Sequence, residues 1–142
     1  MVFKVFSRSG AIAYSYKQNI PKTEIISISD AYDSYPHFND NLNFSRILYL
    51  KFDDVENGEP NCITTEDAKK ITKFINTVNK GIEQIIVHCE AGVSRSAGVC
   101  AAIMKYLTGD DSEIFDNPKY CPNMTCYRTV LSQFHSPKEE IR

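Results

Sequence analysis

The stretch that decides the fold spans residues 85–99 and reads Ile-Ile-Val-His-Cys-Glu-Ala-Gly-Val-Ser-Arg-Ser-Ala-Gly-Val. Residues 84–87 are a short continuous apolar run, which is typical of a β-strand buried on both faces. Residues 96–108 are apolar almost all round and precede Gly109, which predicts a buried central helix. Cys89 therefore lies in a tight loop between a buried strand and a buried helix.

This loop has the chemistry of an anion-binding site. Backbone amides at the start of a helix point inward and carry a positive field, and Gly92 allows the turn that brings them near a ligand. The same field lowers the pKa of the Cys89 thiol, and the thiolate is the nucleophilic form of cysteine. Arg95 can return to the loop and hold two phosphate oxygens with its planar guanidinium.

Strands and helices alternate on either side of this segment. We expect strands over residues 2–6, 23–29 and 44–52, in addition to 84–87. This alternation predicts an α/β fold with a central, mostly parallel sheet of about four to five strands flanked by helices. The length of 142 residues fits a single domain, which we place over residues 1–142.

Capping residues mark the expected helices. Thr64 and Asp67 can form a capping box ahead of an apolar stripe that we expect to end at Gly81. Asp110 or Asp111 can begin a short helix over 112–115. A last helix is capped by Asn123 and carries one apolar face, formed by Met124, Tyr127, Leu131 and Phe134.

The composition excludes several classes of protein. Hydrophobic residues make up 42% and charged residues 24%, and the net charge is −2 with no basic block, so we expect neither a nucleic-acid nor a membrane partner. No apolar run approaches the length of a membrane span, and the first residues lack an export signal, which predicts a cytoplasmic protein. Five cysteines at irregular spacing fit a disulfide framework poorly, and Cys121, Cys126 and His135 fit zinc-ligand spacing poorly.

The segment His88-Cys89-x5-Arg95-Ser96 resembles the phosphate-binding signature of the protein tyrosine phosphatase superfamily. The small size is similar to that of the dual-specificity-like branch, in particular compact bacterial and phage proteins. The likeness extends through much of residues 23–134, whereas residues 1–22 and the C-terminal tail add nothing to it. A low-molecular-weight tyrosine phosphatase would carry its signature near the N-terminus.

The resemblance implies a two-step mechanism without metal or cofactor. Cys89 would attack phosphorus, and water would then release phosphate from the cysteinyl intermediate. The phosphate would be bound by the loop residues Glu90, Ala91, Gly92, Val93, Ser94 and Arg95. Ser96 would hydrogen-bond the sulfur, cap the helix, or do both. His88 would point away from the phosphate and orient the loop, in preference to acting as a base.

The leaving oxygen needs a proton donor, which the family carries some thirty-odd residues ahead of the cysteine. Asp53 and Asp54 follow the strand expected over 44–52, at a strand end that would overhang the loop. We expect Asp54 to be the acid, with Asp53 as the alternative and Glu56 and Glu59 as more distant candidates.

The resemblance also implies the substrate class. The loop contains no lysine and carries Glu90, which disfavours inositol lipids with several phosphates. We expect a monomeric enzyme acting on phosphotyrosine, and on phosphoserine or phosphothreonine, in proteins or peptides. Two alternatives remain open at this point: sulfur transfer of the rhodanese type and a non-catalytic module that binds phosphopeptides.

Overall fold

Strands and helices alternate along the chain in the computed structural model, which describes residues 1–135. The strands are β1 (Val2–Phe6), β2 (Thr23–Ser29), β3 (Phe44–Lys51) and β4 (Gln84–His88). The helices are α1 (Arg8–Tyr14), α2 (Thr65–Asn76), α3 (Arg95–Thr108), α4 (Ser112–Phe115) and α5 (Met124–Phe134).

All strand pairs of the sheet are parallel, in the spatial order β1-β4-β2-β3. The two central strands, β2 and β4, are buried at every residue, which agrees with the β-branched apolar residues at their centres. The predicted α/β fold with a parallel sheet is thereby confirmed, with four strands. Because the strands are parallel, the segments that follow them all begin at one edge of the sheet.

Helix α3 fills the centre of the fold and packs against β1, β4 and α5. Its residues from Arg95 to Met104 are all buried, as the apolar pattern predicts. A side chain at Gly98 would place a Cβ 2.4 Å from the carbonyl oxygen of Asn123. The glycine therefore allows α5 to begin directly against the first turns of α3.

One buried ion pair ties the edge of the sheet to α2. The Glu24 carboxylate is fully buried and accepts hydrogen bonds of 2.8 and 2.6 Å from Arg46 Nε and Nη2. Arg46 also donates to the carbonyl oxygen of Phe74, at 2.7 Å. The hydrogen bond to Glu24 raises the pKa of Arg46 further above its already high value.

The structure corrects three details of the sequence prediction. Helix α1 was not expected, because seven residues with a single buried side chain give no periodic signal. The stop predicted at Gly81 is wrong: α2 ends at Asn76, where Arg46 binds the carbonyl oxygen of Phe74 and the hydroxyl of the C-cap residue Thr77 binds that of Lys73. Ser94, not Ser96, is the N-cap of α3. The end of the predicted domain, residues 136–142, lies outside the described residues.

Within residues 1–135, no helix combines the length and the apolar character needed to cross a bilayer. This finding agrees with the absence of a long apolar run in the sequence.

Candidate active site

Four loops meet at the carboxyl edge of the sheet, because each of the parallel strands ends there. Cys89 follows β4, the pair Asp53 and Asp54 follows β3, Asp30 follows β2 and Arg8 lies two residues after β1. Arg8 and Cys89, which are far apart in the sequence, are thereby brought to the same edge. In open α/β sheets this edge is the usual place for a ligand.

Cys89 lies at the base of the loop between β4 and α3, and only 2% of its surface is exposed. Its Sγ is 3.1 Å from Ser96 Oγ in the first turn of α3. Burial opposes ionisation of the thiol, but hydrogen bonds from Ser96 and from the Gly92 amide, with the charge of Arg95, outweigh it. The pKa of Cys89 is therefore lowered, which favours the thiolate.

Arg95 is the first residue of α3 and its guanidinium is almost completely buried. Nη1 donates to the carbonyl oxygen of Phe52 at 2.7 Å, and Nη2 lies 2.8 Å from Asp30 Oδ1. In the described part of the chain, the buried Nε has no hydrogen-bond partner. An unpaired N–H on a buried cation is costly, and an oxyanion in the loop would satisfy it.

The loop owes its shape to a close contact with the segment after β1. Gly92 has φ +72°, and a Cβ there would lie 2.6 Å from the backbone of Phe6 and Ser7. The Arg8 amide donates to the Glu90 carbonyl oxygen at 3.1 Å, and the Cys121 amide donates to that of Val93 at 3.0 Å. Ala91 and Glu90 are exposed at the rim, and Val93 is partly buried.

Asp54 is held directly against this loop. Its Oδ1 accepts a hydrogen bond from Ser94 Oγ at 2.8 Å and another from Asn123 Nδ2, also at 2.8 Å. Asn123 in turn caps α5 through its Oδ1, and its amide donates to the Ser94 carbonyl oxygen. One asparagine thus connects the loop after β3, the loop between β4 and α3 and the start of α5.

Asp53 faces a different set of partners from those of Asp54. Its Oδ1 accepts from the Ala31 amide at 2.9 Å and its Oδ2 from Asn61 Nδ2 at 3.3 Å. Both carboxylate oxygens are therefore used to hold the loops after β2 and β3 together. Of the two candidate acids, Asp54 is the one in contact with the loop that carries Cys89.

His88, the last residue of β4, is fully buried. Its Nδ1 is 3.1 Å from the Cys89 carbonyl oxygen and its Nε2 is 2.6 Å from Ser27 Oγ. Burial, with a smaller contribution from the charges of Arg8 and Arg95, lowers the pKa of His88 to about 4. The neutral ring therefore donates a hydrogen bond from Nδ1 to the Cys89 carbonyl oxygen and accepts one at Nε2 from the Ser27 hydroxyl group.

Acidic groups surround the mouth of the loop. Carboxylate oxygens of Asp30, Asp33 and Glu90 all lie within 4.8 Å of one another. Arg8 lies beside them: its guanidinium is 3.9 Å from Asp33 Oδ2 and donates to Ser29 Oγ and to the Ser34 carbonyl oxygen. Of these acidic groups, Asp30 is the one that pairs with Arg95.

Sequence reasoning missed three residues of this site. Asp30 and Arg8 were identifiable in principle, since a parallel sheet brings the residues after β1 and β2 to the same edge as Cys89. The hydrogen bond from Asn123 to Asp54 had no local signal, because 69 residues separate the two side chains. Asn123 was expected only as a helix cap, and that expectation is confirmed.

The chain belongs to the dual specificity phosphatase catalytic domain family, whose model matches residues 15–119. It is 33% identical over 87 residues to the tyrosine-protein phosphatase MSG5 of Saccharomyces cerevisiae. That match covers 53% of this chain and 18% of the yeast protein, so this chain spans less than a fifth of its relative.

Solved human structures share the fold. The tyrosine phosphatase-like serine/threonine/tyrosine-interacting protein superposes with a TM-score of 0.67 at 21% identity, covering 92% of this chain and 89% of that one. Human DUSP28 gives a TM-score of 0.60 at 14% identity, with 99% and 95% covered. These matches cover more than nine-tenths of the chain and therefore include part of residues 1–22. The expectation that residues 1–22 add nothing to the resemblance is wrong, because β1 and α1 belong to the shared fold.

Proposed function

We propose that this chain is a cysteine-dependent protein phosphatase that hydrolyses phosphotyrosine and also phosphoserine and phosphothreonine. One observation carries the proposal: Cys89, whose thiol pKa is lowered by its hydrogen bonds and by Arg95, shares a loop with that buried arginine, and the arginine Nε lacks a partner among residues 1–135. A tetrahedral oxyanion bound in this loop would meet both the nucleophile and the free N–H. Membership of the dual specificity phosphatase family supports the same reaction.

In the first step, the Cys89 thiolate attacks phosphorus and a P–S bond forms as the P–O bond of the ester breaks. Both hydrogen bonds to Asp54 end on Oδ1, so Oδ2 is the oxygen that carries the proton. This proton passes to the leaving oxygen, which departs as a neutral hydroxyl group. Arg95 and the loop amides bind the three phosphoryl oxygens throughout the transfer.

In the second step, a water molecule attacks the phosphorus of the phosphocysteine, and Asp54 takes a proton from that water molecule. The P–S bond breaks and its electron pair returns to sulfur, which leaves as a thiolate. The Ser96 hydroxyl, 3.1 Å from Sγ, donates to that thiolate and makes it a better leaving group. Inorganic phosphate is released and the enzyme returns to its starting state.

His88 supports the loop without touching the phosphate. Its two hydrogen bonds fix the Cys89 carbonyl group and therefore the direction in which the loop leaves β4. A ring with a pKa of about 4 stays neutral at physiological pH, and both its nitrogens are already used. We assign His88 a positioning role and no proton transfer.

The expected partners and location follow from this chemistry. Phosphorylated proteins are the substrate class, and the mechanism needs neither a metal ion nor a cofactor. A thiolate nucleophile works only while it is reduced, so we propose a reducing compartment such as the cytoplasm. We further propose that residues 1–142 act as one monomeric catalytic domain.

The decisive experiment measures hydrolysis of an aryl phosphate in the presence of a chelator. We expect turnover by the parent protein and none by Cys89→Ser, because serine at this position is a much weaker nucleophile. Cys121→Ser is the matched control, since Cys121 is an exposed thiol and its loss leaves the loop intact. Turnover by Cys89→Ser would refute the covalent mechanism.

A substrate panel separates the alternatives. Phosphotyrosyl, phosphoseryl and phosphothreonyl peptides test the dual specificity, a phosphoinositide tests the lipid class, and thiosulfate with cyanide tests sulfur transfer. Binding of phosphopeptides without turnover by the parent protein would identify a non-catalytic module instead.

A further inference from the structure

Two adjoining cavities extend from the loop after β3, which carries Asp54, along one face of α5. The first, of about 620 Å³, is lined by Asp54 and Ser94 at one end and by Arg128 at the other. The second, of about 360 Å³, continues past Arg128 toward Gln133. Asn57, Thr125 and Arg128 line both cavities, and the Asn57 amide donates to Thr125 Oγ1 at 3.1 Å.

The two cavities differ in charge. The first contains the carboxylates of Asp54 and Glu56 as well as Arg128. In the second, Arg128 is the one charged side chain among the described lining residues, and the others offer hydroxyl or amide groups. Arg128 takes part in none of the salt bridges found within residues 1–135. An anion would therefore be repelled near Glu56 and attracted at the second cavity.

We propose that this groove binds a segment of the phosphoprotein substrate and that Arg128 binds an anionic side chain of that segment. The inference rests on the proposed phosphatase function. Its basis is continuity: the groove shares Asp54 and Ser94 with the proposed catalytic centre, so a peptide bound there is already in line with the loop. The chemistry is that of a carboxylate or a second phosphate monoester, which a guanidinium binds with paired hydrogen bonds.

The length of the groove sets the position of the anion. Arg128 is five residues beyond Asn123, or about 7.5 Å along the axis of α5. Extended peptide advances about 3.3 Å per residue, so the anionic side chain lies about two to four residues from the phosphoresidue. The groove leaves the loop in one direction, and the preference is therefore confined to one side of the phosphoresidue.

The test compares phosphotyrosyl peptides that carry Glu or Gln at the second to fourth positions on either side. We expect a gain of about 2- to 5-fold in kcat/KM for Glu on one side, the size expected of an ion pair made by an exposed arginine. Arg128→Gln should abolish that gain and leave aryl phosphate hydrolysis unchanged. Lys105→Gln is the matched control, because it removes the same charge from an exposed side chain outside both cavities.

Peptides with phosphoserine in place of Glu at the favoured position show whether the groove prefers a phosphate monoester or a carboxylate. The increase in tyrosine fluorescence reports hydrolysis of the phosphotyrosine. A larger gain than with Glu identifies a phosphate-binding groove, and an equal gain identifies a general anion-binding groove. The proposal is refuted if Arg128→Gln retains the gain, if Lys105→Gln loses it equally, or if no gain appears on either side. The phosphatase proposal fails separately, by loss of aryl phosphate turnover in the parent protein.

Discussion

The ion pair between Asp30 and Arg95 provides the sharpest test of how the site is built. Asp30→Asn keeps the shape of the side chain and removes its negative charge. Arg95 Nη2 then keeps at most a neutral hydrogen bond at the present distance of 2.8 Å, so the guanidinium is held at full strength only by the bond from Nη1 to the Phe52 carbonyl oxygen. We expect weaker phosphate binding and slower turnover, because the donors must be aligned before the reaction begins.

The magnitude follows from the burial of the two groups. A hydrogen bond to a charged group contributes about 1.5–3 kcal/mol. Asp30 is half exposed, with 48% of its side chain accessible, so the lower end applies. A loss of about 1.4 kcal/mol corresponds to a tenfold fall in kcat/KM for an aryl phosphate.

A control for the net charge is present in the same loop. Asp33 is close to Asp30 and exposed, but its carboxylate contacts Arg8. Asp33→Asn makes the site less negative by the same amount, which on its own should help a dianionic substrate bind. We therefore expect Asp33→Asn to leave kcat/KM unchanged or slightly raised. Equal effects of the two variants, or no effect of Asp30→Asn, would refute the positioning role of Asp30.

Three further outcomes can be checked. Asp54→Ala should slow hydrolysis of esters with poor leaving groups about 100-fold and leave good leaving groups nearly unaffected, as a plot of rate against leaving-group pKa would show. Ser96→Ala should move the pH dependence of Cys89 alkylation to higher pH, because a hydrogen bond that stabilises the thiolate is lost; an unchanged profile would contradict this. Arg46→Met leaves the buried Glu24 unpaired, so the free energy of unfolding in urea should fall by about 3 kcal/mol.

The fold was largely predictable because its signals are local. A strand buried on both faces needs a continuous apolar run, and a central helix needs apolar residues all round. Both are visible in the sequence around Cys89. The weak elements escaped for the same reason: α1 is short, and α2 ends where Arg46 from a neighbouring strand binds a carbonyl group that no sequence window includes.

The site was predictable only in part, and its two acids illustrate the limit. Asp53 and Asp54 are adjacent, and nothing in their spacing separates them. In the structure they point to different partners, Asp53 to Ala31 and Asn61, and Asp54 to Ser94 and Asn123. The choice between them rests on contacts across 40 and 69 residues of chain.

The order of residues along the chain was by itself enough to place a cysteine, a glycine and an arginine in one loop between a buried strand and a buried helix. Helical geometry and the demands of apolar burial act within a few residues, so this arrangement needs no distant partner. Tertiary packing alone determined which carboxylate contacts the loop that carries Cys89 and which one holds Arg95. Those contacts arise only when parallel strands bring their carboxyl ends to the same edge of the sheet.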